Sequence, residues 1–182
     1  MEDLSSLPIE LQEFIQICQK KDTNFSLENF EYSCEGLVFI DSELGTLKID
    51  ILNDKVNYKR QGHRGKQEII AKAVGLSKGN KTVFDATFGL GQDALFLQEL
   101  GAEISGCERH PIIWLLMKEA LQRANKSVQL FLEDSLTYLK NISSTASKPD
   151  VVYLDPPYNE RQYSANYHVL ETIAKYDNPE IR

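Results

Sequence analysis

The sequence has few cysteines and no long apolar run. Its only cysteines, Cys18, Cys34 and Cys107, are widely spaced and form no CxxC pair. This spacing excludes a disulfide framework and argues against a zinc site, so we expect no metal and a reducing, cytoplasmic environment. No stretch reaches the roughly 18 apolar residues of a membrane span, and the first residues lack the apolar segment of a secretory signal. We therefore expect a protein that is neither secreted nor embedded in a membrane.

Positive charge is in the minority. The 20 Lys and Arg residues face 27 Asp and Glu residues, which gives a formal net charge of −7. The protein as a whole is therefore not built to bind a polyanion. The stretch from residue 55 to residue 72 differs, because it holds a single acid among many bases. A solvated basic face and a contact with an RNA backbone both fit this stretch. The predicted nucleic-acid contacts are Lys59, Arg60, His63, Arg64 and Lys66.

The 182 residues are enough for one main domain with a small appendage. Apolar spacing in the first part predicts a helix, two small strands and a second helix. These elements are predicted over 4–20, 36–41, 46–52 and 66–74. We interpret residues 1–65 as a small N-terminal α+β subdomain and residues 66–182 as the main domain.

The main domain alternates strands with helices. The strands are predicted over 82–86, 103–107, 128–132 and 150–154, and the helices over 92–100, 112–124, 135–140 and 164–176. Each strand is a nearly continuous apolar run, which is typical of a parallel sheet with both faces covered. The predicted class is α/β, with a doubly wound, Rossmann-like sheet.

A turn that contains two glycines follows the first strand of the main domain. It runs from Asp85 through Gly89 and Gly91 to Gln92 and Asp93. Glycines let a ligand approach the backbone, and the next helix presents free N–H groups. The pattern differs from the GxGxxG loop of NAD-dependent oxidoreductases, which are therefore disfavoured. A carboxylate at Asp85 is wrong for pyrophosphate but right for the cationic methionine end of S-adenosylmethionine (SAM). The turn alone also fits a purely structural role.

Acids also follow the next two strands. Glu108 can accept hydrogen bonds from both hydroxyl groups of a ribose, as acids do at this place in adenosine-cofactor sites. Asp134, with Ser135 beside it, can accept a hydrogen bond from an adenine amino group. The same position also suits a helix N-cap, and the two roles are compatible.

The most specific pattern is Asp155-Pro156-Pro157-Tyr158, directly after the fourth strand. The amino group of a base is a poor nucleophile because its lone pair is delocalised into the ring. The Asp155 carboxylate and the Pro156 carbonyl can accept the amino hydrogens and localise that lone pair. Tyr158 offers an aromatic face on which an extruded base can stack. We therefore expect catalytic roles for Asp155, Pro156 and Tyr158, although a rigid turn is the alternative for the motif alone.

From about residue 48 to residue 158 the sequence resembles the bacterial 16S ribosomal RNA guanine-N2 methyltransferases of the RsmJ family. The shared segments are 63–65, 71–75, 85–87, 89–91, 93–94, 108–109 with Pro111, and 151–156. The resemblance implies a class I methyltransferase fold, SAM as cofactor, and 16S ribosomal RNA or the small ribosomal subunit as partner. Cofactor contacts are implied at Gln92, Asp93, Glu108, Arg109, Asp134, Ser135 and Asp155. The sequence departs from the family at Gln92, where arginine is usual, and at Asp134, where serine is usual.

The segment after residue 154 has a second resemblance. It reads DPPYNERQY, then NYH and LET, and this pattern is similar to adenine-N6 DNA methyltransferases. Adenine in DNA is therefore the alternative substrate. Since class I sheets carry further strands, we expect the last strands of the sheet to be missing. A catalytically incomplete fragment that binds the cofactor or RNA is the alternative of another class.

Overall fold

The computed structural model describes most of the chain up to the end of the fourth predicted strand. The described residues are 4–43, 45–52, 64–79, 81–142 and 148–155. The helix predicted over 164–176 lies outside them. No helix within these ranges is long and apolar enough to cross a membrane.

The chain begins with a helix that packs on the rest of the molecule. After a short 3-10 turn at Leu4–Ser6, helix α1 spans Ile9–Lys21, which confirms the first predicted helix. The helix starts after Pro8, whose carbonyl accepts the N–H of Gln12 at 3.1 Å. Its buried side chains lie at helical spacing and face inward; they are Leu11, Ile15 and Cys18.

Three antiparallel strands follow, in the order β1-β2-β3. They span Phe30–Ser33, Gly36–Asp41 and Gly45–Lys48. The hairpin of β2 and β3 confirms the two predicted strands, whereas the sequence pattern does not predict β1. Of the four residues of β1 only Phe30 is buried, so the strand lacks the alternation that marks a half-buried strand. Its connection to β2, Cys34-Glu35, also lacks the Asn-Gly or Asp-Gly pair typical of two-residue hairpin loops.

The second part follows the predicted alternation closely. Helices α2 to α5 span Arg64–Ala73, Gln92–Glu99, Pro111–Arg123 and Ser135–Ile142. Strands β4 to β7 span Thr82–Asp85, Glu103–Glu108, Gln129–Leu132 and Val151–Tyr153. A 3-10 turn, Leu76–Lys78, links α2 to β4.

The four strands form a parallel sheet in the order β6-β5-β4-β7. Along β4 and β6, neighbouring side chains point to opposite faces. Val83 and Leu130 join the core cluster that contains residues of α3 and α4. Phe84 and Phe131 instead stack on Tyr138 of α5. Helices therefore cover both faces, which confirms the doubly wound α/β class.

Helix α4 is buried on almost every side. The five residues Ile113–Met117 are all buried, which covers more than one full helical turn. One side of α4 faces the sheet, where the indole N–H of Trp114 donates to the carbonyl of Leu130 at 3.2 Å. The other side contacts α1 and β2. Residues of α1 and β1 to β3, which we call the N-terminal layer, share one buried cluster with α4. The subdomain boundary at residue 65 stays a prediction.

Arg123, at the end of α4, fastens the N-terminal layer by several polar contacts. Its Nε donates to Glu119 Oε1 at 3.0 Å, and its Nη2 donates to the carbonyl of Ile49 at 2.7 Å. Its Nη1 lies 3.8 Å from Asp50 Oδ1. Gly36 packs flat on the guanidinium, since a Cβ there would lie 2.6 Å from Nε. The Glu119 side chain is only 7% exposed, so this carboxylate depends on Arg123.

Replacing Arg123 should therefore destabilise the protein strongly. We expect Arg123→Met to lower the free energy of unfolding by about 3 kcal/mol, because it leaves Glu119 buried without its cation. Adding Glu119→Gln should restore part of the loss. Lys48→Met is the control, since Lys48 pairs with a largely exposed Glu35; its effect on the free energy of unfolding should be far smaller. Chemical denaturation measures all the variants, and equal losses for Arg123 and Lys48 would contradict the assignment.

Candidate active site

The carboxyl ends of the four parallel strands bring the predicted acids to one edge of the sheet. Asp85 ends β4, Glu108 ends β5, Asp134 follows β6 and Asp155 follows β7. The chain runs from β4 outward through β5 to β6 and then returns to the other side of β4. The strand order thus reverses between β4 and β7, and ligands of open α/β sheets bind beside such a reversal.

Asp85 lies at this reversal and is only 3% exposed. Its Oδ1 accepts the backbone N–H of Thr87 at 2.9 Å. The pKa of Asp85 is raised to about 7, chiefly by burial and in part by the charges of Asp93 and Asp155, while the hydrogen bond from the Thr87 N–H acts in the opposite direction. A cation beside such a buried carboxylate stabilises its ionised form.

The glycine turn is shaped by one aromatic ring. Gly91 has a φ of +64°, and a Cβ there would lie 2.6 Å from Cε1 of Phe88. Gly106 on β5 touches the same ring, since its Cβ would lie 2.6 Å from Cδ2 of Phe88. The Phe88 ring thus fills the space beneath the turn, and both glycines are needed for it to fit. Gly89, with a φ of +49°, also adopts the left-handed conformation that favours glycine.

Glu108 is joined to the turn by its carboxylate. Its Oε1 accepts the N–H of His110 at 2.8 Å. Burial raises the pKa of Glu108, while hydrogen bonds from the backbone N–H groups of His110 and Gly89 and the charge of Arg109 act in the opposite direction. The carboxylate therefore lies between the end of β5 and the glycine turn, where a ribose was predicted to bind.

Asp134 caps helix α5. Its Oδ1 accepts the N–H of Thr137 at 3.0 Å and the Thr137 hydroxyl at 3.1 Å. The backbone hydrogen bond from Thr137 lowers the pKa of Asp134, and nearby Arg109 adds to this effect. The helix N-cap that the sequence allowed is therefore present, with Ser135 as the first residue of α5.

Two residues that the sequence analysis did not single out connect these acids. The Tyr153 hydroxyl donates to Asp93 Oδ2 at 2.7 Å, which joins β7 to the start of α3. The Asp155 N–H donates to the Thr87 hydroxyl at 2.8 Å. Burial, followed by the hydrogen bond and charge of Asp93, raises the pKa of Tyr153 strongly. Thr87 and Tyr153 lie inside the motifs that carry the family resemblance, but only their contacts reveal what they do.

The structure thus brings Asp85, Asp93 and Asp155 together, with Gln92 at the first position of α3. Other predicted site residues lie outside the described residues, namely Pro156, Tyr158, Lys59, Arg60 and His63. Arg64 and Lys66 lie in the first turns of α2, where only the backbone is described. Within the described ranges, no group of three or more His, Cys, Asp or Glu side chains could hold a metal ion.

Comparison with known proteins gives the family context of this site. The model of a family described as putative SAM-dependent methyltransferase matches residues 10–169. The ribosomal RNA small subunit methyltransferase J of Bdellovibrio bacteriovorus is 40% identical over 135 residues, covering 72% of this chain and 53% of that protein. The protein of that name from Tolumonas auensis is 36% identical over 155 residues, covering 81% of this chain and 62% of its own length. The chain therefore spans less than two thirds of these relatives.

A solved structure has the same fold. The crystal structure of a SAM-dependent methyltransferase from Neisseria gonorrhoeae superposes with a TM-score of 0.66 at 25% sequence identity, over 84% of this chain and 67% of that one. This likeness agrees with the predicted Rossmann-like methyltransferase sheet, and the curated relatives confirm the resemblance to the RsmJ family. Because the family model covers most of its length, the chain belongs to the family of putative SAM-dependent methyltransferases.

Proposed function

We propose that this chain carries the catalytic site of a SAM-dependent methyltransferase that modifies an exocyclic amine of a nucleic-acid base. The base we propose is guanine, at N2, in 16S ribosomal RNA. The observation that carries the proposal is the buried Asp85 beside Asp155 at the reversal of the strand order. One acid there suits a cationic cofactor, and the other begins the motif assigned to the base.

The residues at the edge fit SAM. Its methionine end carries a sulfonium and an ammonium group, and the carboxylates of Asp85, Asp93 and Asp155 form a negative environment for these cations. We propose that Glu108 accepts hydrogen bonds from the ribose and that Asp134 accepts one from the adenine amino group. When bound, SAM supplies a methyl group activated by its positive sulfur. We propose the same edge for the remaining cofactor contacts, from Gly89, Gly91 and Gln92 to Arg109 and Ser135.

Asp155 is the proposed catalytic acceptor for the amino hydrogens of the base. Its backbone position is set by two contacts, since the N–H of Ala86 donates to the Tyr153 carbonyl at 2.9 Å and the Asp155 N–H donates to Thr87. An acceptor whose backbone is held is already oriented before the substrate arrives. This preorganisation is the main reason that such groups lower the activation barrier. The roles of Pro156 and Tyr158 stay predictions.

Ribosomal RNA is favoured over DNA by the relatives. The curated relatives are named ribosomal RNA small subunit methyltransferases. The family match runs to residue 169 and so includes most of the segment similar to adenine-N6 enzymes. The basic stretch, with Lys59, Arg60, His63, Arg64 and Lys66, is proposed to contact the RNA. Free thiols at all three cysteines support the proposed cytoplasmic location.

Methyl transfer from labelled SAM tests this proposal. The acceptors are 16S ribosomal RNA, small ribosomal subunits and duplex DNA in parallel, followed by nucleoside analysis of each product. We expect N2-methylguanosine in the RNA. N6-methyladenine in the DNA would instead support the adenine-N6 alternative, and cofactor binding without any product would support the incomplete fragment.

Asp155→Asn provides the negative control in the same assay. It keeps the size of the side chain and the backbone N–H that binds Thr87, but it removes the charge that draws the amino hydrogens. Turnover should fall by about 100-fold or more, while SAM binding stays measurable by calorimetry. Loss of both together would place Asp155 in the cofactor site alone.

Cofactor binding should release a proton from Asp85. In the free protein the pKa of Asp85 is raised from 3.8 to about 7, so folding favours the neutral acid. The contribution of this protonation to the free energy of unfolding is fully present below about pH 4 and is lost as the pH rises through 7. A bound cation favours the ionised form and lowers that pKa. SAM affinity should therefore increase with pH up to about 7 and then level off. Calorimetry at pH 6.5 in buffers of different ionisation enthalpy should detect the released proton. The proton should disappear in Asp85→Asn, and equal heats in all buffers for the wild type would contradict the assignment.

Glu108→Gln should weaken SAM binding by about 1–3 kcal/mol, because it removes a charged acceptor from the ribose. Glu103→Gln is the matched control, since Glu103 is the exposed residue at the other end of the same strand. Its dissociation constant should equal that of the wild type. Unchanged affinity in Glu108→Gln would remove Glu108 from the ribose site.

A further inference from the structure

Both ends of the β4–β7 pair are fastened by the same kind of contact. At the amino end, the N–H of Asp150 donates to the hydroxyl of Thr82 at 2.9 Å. At the carboxyl end, the N–H of Asp155 donates to the hydroxyl of Thr87 at 2.8 Å. The second pair lies five residues further along each segment than the first. Each threonine hydroxyl thus accepts the backbone N–H of an aspartate, at opposite ends of one strand pair.

The two pairs differ in what else the threonine contacts. Thr82 returns its hydrogen bonds to the same aspartate, since Asp150 Oδ2 accepts both its N–H at 2.9 Å and its hydroxyl at 3.1 Å. The Thr87 hydroxyl instead lies 3.5 Å from Oδ1 of Asp85. At the amino end, Thr82 and Asp150 therefore bond only to each other in these contacts. At the carboxyl end, the Thr87 hydroxyl contacts two residues, Asp155 and Asp85.

We infer that Thr87 is a positioning residue for methyl transfer, whose hydroxyl holds the backbone of Asp155 at a fixed place relative to Asp85. This inference rests on the proposed function. The Thr87 hydroxyl oxygen accepts the Asp155 N–H, and its hydrogen points toward the carboxylate of Asp85, which is assigned to the cofactor. The segment assigned to the base and the residue assigned to the cofactor are then linked through a single side-chain atom.

The link matters because the regular ladder ends just before it. Among the described residues, which end here at Asp155, the last backbone hydrogen bond between the two segments joins the N–H of Ala86 to the carbonyl of Tyr153. Beyond that point, the Asp155 N–H is held by the Thr87 side chain. A displacement of about 1 Å between reacting groups can lower a rate by about 100-fold. Loss of this hydroxyl is therefore expected to act on the rate more than on affinity.

The hydroxyl also affects the titration of Asp85. Its hydrogen bond is one of the contributions that lower the pKa of Asp85, against burial and the charges of Asp93 and Asp155. Tyr153, the other titrating group beside these acids, has its hydroxyl on Asp93. Removing the Thr87 hydroxyl should therefore move the Asp85 pKa upward. Thr82 provides the comparison: its hydroxyl donates to Asp150, so loss of that hydroxyl should leave the Asp85 pKa where it is.

Three variants test the inference. Thr87→Val keeps the shape and removes the hydroxyl, Thr87→Ser keeps the hydroxyl, and Thr82→Val removes the equivalent hydroxyl at the far end of β4. We expect Thr87→Val to lower kcat by about 10- to 100-fold with a small change in the dissociation constant of SAM. Its pH profile should move to higher pH. Thr87→Ser should restore the wild-type kcat and profile, and Thr82→Val should match the wild type in both although its melting temperature falls.

A wild-type kcat in Thr87→Val, or an equal loss in Thr82→Val, overturns the inference while the proposed function stands. An absence of turnover in the wild-type chain with SAM bound overturns the proposed function and the inference with it. If Thr87→Val does not fold, Thr87→Ala removes the same hydroxyl without adding a methyl group beside Asp155, and the same outcomes apply.

Discussion

The pairing of β4 with β7 is the contact on which the site depends. These strands are neighbours in the sheet although α3, β5, α4, β6 and α5 lie between them in sequence. Where the order of strands reverses, the helices that follow lie on opposite faces, and the edge between the strands stays open for a ligand. The register that pairs Asp85 with Tyr153 places Thr87 opposite Asp155 two residues later. A shift of one residue would turn these side chains to opposite faces and separate the two acids.

Gathering carboxylates at this edge opposes the stability of the free protein. Asp85 is buried beside Asp93 and Asp155, and the resulting pKa near 7 means that its charge is unfavourable at neutral pH. Part of the charge is compensated locally, since Tyr153 donates to Asp93 and the Thr87 N–H donates to Asp85. A site of this kind binds a cation more tightly than an isolated carboxylate does, because the ligand relieves repulsion that is already present.

Much of the fold could be predicted because its signals are local. Parallel strands buried on both faces are continuous apolar runs, and helix α4 stands out by its run of five apolar residues, Ile113–Met117. The acids at strand ends were also predictable, since the topology brings all carboxyl ends to one edge. Strand β1 was not predictable, because one buried residue and an unusual hairpin loop give no pattern. Thr87 and Tyr153 were missed for a different reason: their partners Asp155 and Asp93 are 68 and 60 residues away in sequence, and spacing carries no information on such contacts.

The same acidic edge constrains how a polyanion can approach. An RNA phosphate near Asp85, Asp93 and Asp155 meets like charge, so an RNA substrate needs cations from elsewhere in a chain whose net charge is −7. In the proposed enzyme the positive cofactor is one source, since its proposed site is where these acids gather. The basic stretch, residues 55–72, is the other, and it runs into helix α2, which packs on α3. In the proposed enzyme, the net positive charge of the cofactor is offset below about pH 7 by the proton that Asp85 releases, so most of the cations that face the RNA must come from the basic stretch.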